Sequence, residues 1–158
     1  MKKIAVYLSL LFVATAFNGC GGKPADVNLA RLMDKITERQ VLSDGMDDIN
    51  ADSLERLYNI TSAEYSQFTG KFNSVGILGD EAVIVEAVSK EAAVSVKEKM
   101  EQRYQSKLNT MEGYIPDEYE KIKKGAVTVN GNYVALLVAT DQEGLNEIFK
   151  EGMRGEYQ

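Results

Sequence analysis

Carboxylates are the only abundant chemically capable side chains in this 158-residue chain: Asp and Glu number 24 against 18 Lys and Arg, with no histidine and one cysteine. Without histidine, imidazole-ligated metal sites and Ser-His-Asp or Cys-His catalysis are impossible within the chain. A lone cysteine likewise rules out an internal disulfide or a thiolate zinc site, and no glycine-rich phosphate cradle is present. Asp47-Asp48 and Asp117-Glu118 would form an acid/base pair only if both members of a pair entered a desolvated cleft. Neighbours along a chain point apart, so these read as solvated surface. Asp48-Ile49-Asn50-Ala51-Asp52 offers oxygens at alternate positions, as a calcium loop does. Its sixth position is Ser53 where glycine makes the turn, and its twelfth is Asn59 where a bidentate Glu is required, so turn and cap chemistry is the better reading. Tyr114, Tyr119 and Tyr133 complete the candidates, because exposed together they would stack on a sugar ring or anchor a partner. The plainer expectation is that Tyr114 and Tyr119 pin a helix to a sheet. No metal or cofactor is expected.

The single cysteine belongs to a different chemistry. Met1-Lys2-Lys3 is a basic start and Ile4 to Phe17 an apolar run too short to span a bilayer, which together read as a secretory signal. Phe17-Asn18-Gly19-Cys20 resembles a bacterial lipobox, cut before a cysteine that carries thioether-linked diacylglycerol. Gly19 and Cys20 fit the pattern, whereas Phe17 stands where Leu is preferred and Asn18 where a small residue is. The alternative is a plain signal followed by an incidental thiol. Residues 1–19 are therefore expected to be removed, residues 20–26 to form a lipidated tether with roughly 20 Å of reach, and residues 27–158 to fold at the outer face of the cytoplasmic membrane. More than one acyl chain gives stable rather than marginal anchoring. Loss of Lys2 and Lys3 leaves 16 basic residues against 24 acidic ones, a formal charge of −8. That sign argues against nucleic acid as a partner and against charge-driven adhesion to anionic lipid.

The elements that must position these residues follow from periodicity. Glu81 to Val88 is a β-branched run suited to a buried strand, and Ser89 is placed to cap a helix from Lys90. Val96, Met100, Tyr104 and Leu108 make its apolar stripe, with Lys97, Glu98, Lys99, Glu101 and Arg103 projecting elsewhere. Pro116 restarts a helix after Gly113. Ala126–Val129 and Asn132–Ala139 form a hairpin about Asn130-Gly131, read as a type I′ turn. The second strand is apolar on both faces and should be central. Before this unit, Leu29, Leu32, Met33 and Ile36 mark a helix capped by Asp26 or Asn28, Met46 to Ser53 reads as a surface loop, and Asp52-Ser53 caps a short helix. Tyr65 to Phe72 is an outer strand interrupted at Gly70, unless Ser74 to Gly79 is the strand instead. After it, Asp141 caps a helix with Leu145, Ile148 and Phe149 inward, and the tail frays from Gly152. The fold class expected is α+β: an antiparallel or mixed sheet of three to four strands with helices packed on one face.

Leu54-Glu-Arg-Leu-Tyr58, Glu81 to Ser89 leading into a charged helix, Tyr114-Ile-Pro-Asp-Glu-Tyr119, Gly131-Asn-Tyr-Val134 and the Leu145 to Phe149 helix, together with the lipobox-like start, resemble a set of small Gram-positive lipoproteins catalogued as domain of unknown function 4358. The resemblance spans nearly all of the chain after the signal, and its motifs are structural. It implies a lipid-anchored exterior domain beside an envelope protein partner, with membrane-bound O-acyltransferase systems that modify envelope polymers as the associated machinery. The function expected is therefore a non-enzymatic accessory or interaction module. A carbohydrate- or solute-binding lipoprotein is the alternative, and a carboxylate-based hydrolase the remotest reading.

Overall fold

The protein is described by a computed structural model that covers residues 26–157. The signal over residues 1–19, the lipidation at Cys20 and most of the tether lie outside the described residues. In chain order the elements are α1 (Leu29–Glu38), β1 (Asp47–Asp48), α2 (Ala51–Tyr58), β2 (Tyr65–Phe72), β3 (Glu81–Ala87), α3 (Lys90–Met111), α4 (Pro116–Lys124), β4 (Ala126–Asn130), β5 (Tyr133–Val138) and α5 (Gln142–Met153).

The α+β class holds, with five strands rather than three or four, in the order β1-β2-β3-β5-β4 and antiparallel throughout. Helices lie on both faces of the sheet and not on one. Val83, Val85, Val134, Leu136 and Val138 pack with residues of α2, α3 and α4, while Ala82, Ile84, Tyr133, Ala135 and Leu137 pack with α1 and α5. The reason lies in the strands themselves. All six residues of β5 are buried, and a strand apolar on both faces needs cover on both.

Local signals set the element ends. Ser89 accepts from Ala92 N–H at 3.1 Å and starts α3; Asn28 starts α1 and Asp141 starts α5. The cap of α2 is Asn50, not Asp52-Ser53. Asn50 and Ser53 exchange side-chain bonds to each other's amides in a capping box, and the segment before it contributes β1 and the buried Ile49.

Two glycines matter for register. Tyr65–Phe72 is indeed the strand, and residues 74–79 are not. Gly70 continues β2 because a Cβ there would lie 2.8 Å from Val83 Cγ2 and 2.9 Å from the Ala82 carbonyl oxygen on β3. At the hairpin Asn130 pairs with Tyr133, so the two turn residues are Gly131 and Asn132, one step later than the Asn130-Gly131 reading. Only Gly131 of the two has positive φ, at 62°, which matches a II′ turn with glycine first rather than I′. Gly152 is buried against Leu32 of α1, so the chain end is docked rather than frayed there.

Candidate functional site

Charge enters the core at the start of β3. Asp80, just before β3, and Glu81, its first residue, are both fully buried, and the four residues that follow are apolar. Alternation along the strand sends Glu81 to the side of Val83 and Val85, beneath α3. There Arg103 Nε and Nη2 each donate to one of its carboxylate oxygens at 3.1 Å, Lys107 Nζ donates at 2.5 Å, and the Tyr58 hydroxyl donates from the end of α2. The Arg103 guanidinium also lies 5.8 Å from the centroid of the Tyr58 ring. Burial alone would raise the pKa of Glu81, but the charges of Lys107 and Arg103 outweigh it and hold the carboxyl below its ordinary value. The Tyr58 hydroxyl is pushed well up by burial and by the charge of Glu81.

Asp80 closes a second knot. It accepts from the Ser43 amide at 3.0 Å and the Ser43 hydroxyl at 2.9 Å, from the Thr140 amide at 2.8 Å and hydroxyl at 3.0 Å, and from Lys121 Nζ at 2.5 Å. Burial works against its ionised form, yet the bonds from Lys121 and Ser43 bring its pKa below normal. Lys121 also pairs with Glu118 at 3.0 Å, and Glu118 accepts the Gly79 amide at 2.6 Å. A third carboxylate, Glu64, precedes β2 and takes Lys99 at 2.7 Å, Ser95 at 2.8 Å and the Thr61 amide at 2.9 Å. Burial again opposes ionisation, but these partners lower its pKa to about 2.

Three carboxylates held ionised by fixed cations and amides are poor proton carriers near neutral pH. What they do is join elements: Glu81 ties β3 to α2 and α3, Asp80 ties β3 to α4 and to the segments before β1 and after β5, and Glu64 ties β2 to α3. Periodicity alone did not reveal this. A Glu heading a β-branched strand was the available signal, and Arg103 with Lys107 at i, i+4 was the matching one. Lys99 and Arg103, expected to project away, lean instead into these bonds, and Lys107 is only 7% exposed.

The tyrosines do not assemble. Tyr114 is 74% exposed, Tyr119 is half-buried against the α3 side of the core under Lys123, and Tyr133 is 3% exposed on the opposite face, its hydroxyl accepting the Val27 amide at 3.2 Å. A shared aromatic platform is therefore corrected: Tyr133 packs in the core instead of facing a ligand, because β5 is central. The calcium-like segment is likewise in other use, with Asn50 capping α2 and Asp48 paired with Lys71 at 2.5 Å. Among the described residues no group of three or more Cys, Asp or Glu is arranged to hold a metal, and no helix is long and apolar enough to cross a membrane.

These features define an α+β domain whose ionisable core is built for cohesion. The chain belongs to the family described as Domain of unknown function (DUF4358), whose model matches residues 38–139. That span holds all five strands and the Glu81, Glu64 and Lys121 partners, whereas most of α1 and all of α5 fall outside it. No curated protein and no solved structure matches the chain.

Proposed function

We propose that this chain is a membrane-anchored extracytoplasmic lipoprotein acting as a non-enzymatic interaction module at the cell envelope. The observation that carries the reading is the use made of its buried ionisable groups. Asp80, Glu81 and Glu64 are each saturated by cations, hydroxyls or amides from other elements, an arrangement that fixes shape and leaves no desolvated acid poised to titrate. The lipobox-like Cys20 supplies the anchor in this reading, and the partner is an envelope protein, with membrane-bound O-acyltransferase systems as the first candidates because the family resemblance implies them. In-cell crosslinking of the Cys20-anchored protein followed by mass spectrometry tests it. A specific membrane protein should be recovered, and recovery should fall away with Cys20→Ala, which also releases the chain from the membrane. Turnover of an envelope glycan or ester by the purified protein would refute it.

A further inference from the structure

We infer that the hairpin pole of the domain, where Val88, Asn130 and Gly131 lie, rests on the lipid surface, with the loop over residues 73–79 and Tyr114 held at the far pole. This rests on the anchoring proposed above and adds to it which surface meets the bilayer.

Position comes first. The described chain begins at Asp26, and Val27 is fixed at the hairpin pole: its amide donates to the Tyr133 hydroxyl at 3.2 Å and its carbonyl accepts from Gln67 at 3.4 Å. Tyr133 opens β5 beside the turn, and Glu86, near the end of β3, is its register partner. The Ala87 amide reaches the Asn132 carbonyl at 2.8 Å, which places Val88 and Ser89 at the same pole. The tether therefore enters where β3 ends, α3 begins and the β4–β5 turn protrudes.

Length decides the rest. The seven residues from Cys20 to Asp26 reach about 20 Å when extended. α3 has 22 residues, about 33 Å at 1.5 Å per residue. It starts at the hairpin pole and ends at Met111, whose carbonyl accepts the Tyr114 amide at 3.1 Å. The tether is thus shorter than the domain it would have to pass, so the Tyr114 pole cannot turn down onto the membrane while Cys20 stays in it.

Surface apolarity does not choose between the poles. Val88, Val94 and Val129 are exposed near the hairpin pole, but Val75, Ile77 and Tyr114 are exposed at the far one, so the tether selects the pole and the three valines supply its apolar contact. With a formal −8 after residue 19, the contact is apolar and tether-enforced rather than electrostatic.

The test uses full-length protein purified from membranes with its anchor and reconstituted into phosphatidylcholine and phosphatidylglycerol vesicles carrying a dilute spin-labelled lipid. Cys20 is the only cysteine, so once it is in thioether linkage, Val88→Cys, Asn130→Cys, Val75→Cys and Tyr114→Cys each offer one free thiol for a fluorophore. Quenching at residues 88 and 130 should exceed that at 75 and 114 severalfold. Equal or reversed quenching in vesicle-bound protein overturns the orientation while leaving the anchor intact. Wild-type protein that takes up the thiol label and stays out of the vesicles overturns the anchor and this inference with it.

Discussion

Glu81 has no exposed surface and faces two cations, so its removal leaves Arg103 and Lys107 as uncompensated charge. Breaking a buried pair from one side costs about 3–5 kcal/mol, and Glu81→Leu should lower the free energy of urea unfolding by that order. Replacing the whole group with apolar side chains is a different matter. Glu81→Leu, Arg103→Met, Lys107→Met and Tyr58→Phe together should recover most of the loss, because no desolvated charge or hydroxyl remains without a partner. If the fourfold variant is as unstable as Glu81→Leu alone, the cost comes from packing and not from charge. The acid limb is set by the same residues. Asp80, Glu81 and Glu64 all have folded pKa values below their unfolded ones, so the unfolded chain binds more protons at low pH. Their contribution is complete above about pH 4.5 and is lost as pH falls through the folded values, for Glu64 towards about 2. Thermal melts should be flat in this respect from pH 7 to 5 and decline below, and Glu64→Gln should flatten part of that decline.

At the scale of elements, the hairpin turn carries one requirement that a side chain meets badly. Gly131 holds φ at 62°, and a side chain held at such a sparsely populated positive φ costs roughly 1–3 kcal/mol. Gly131→Ala should lose about that in denaturant unfolding, and Asn132→Ala, which makes no such demand, clearly less. Most elements are legible in the sequence: the Ser89 cap, the inward set of α1 and the two apolar faces of β5 all follow from residue types within a few positions of one another. The charge cluster could not, because Arg103 and Lys107 lie 22 and 26 residues from Glu81, and sequence spacing says nothing about which helix crosses which strand. The turn was misplaced by one residue because Asn130-Gly131 and Gly131-Asn132 both suit tight turns, and the register is settled by how β5 fits between β3 and β4. Helices on one face failed for a reason already visible, since Tyr133, Ala135 and Leu137 needed burial as much as their neighbours did.

For the whole molecule, the second layer is made by the two ends of the chain. α1 and α5 pack on each other, with Gly152 seated on Leu32, and together cover Ala82, Ile84, Ala135 and Leu137. A fragment limited to residues 38–139, the family-matched span, would expose that face to water. It should fail to melt cooperatively and should bind a hydrophobic dye, whereas residues 27–158 should do neither. Cooperative unfolding of the short fragment would show that the layer of α1 and α5 is dispensable.

The antiparallel pairing of these two helices has a practical consequence for anyone handling the molecule. α5 starts beside Val41, where the Asp141 amide meets the Val41 carbonyl, and runs back to Gly152 opposite Leu32, one turn from the beginning of α1. The amino and carboxyl ends of the fold therefore emerge on one side. A purification handle or fluorescent protein appended after Gln158 would crowd the side where the chain enters the fold, which the proposed anchor would hold at the membrane, while a short epitope inserted at Gly76 would project from the opposite one.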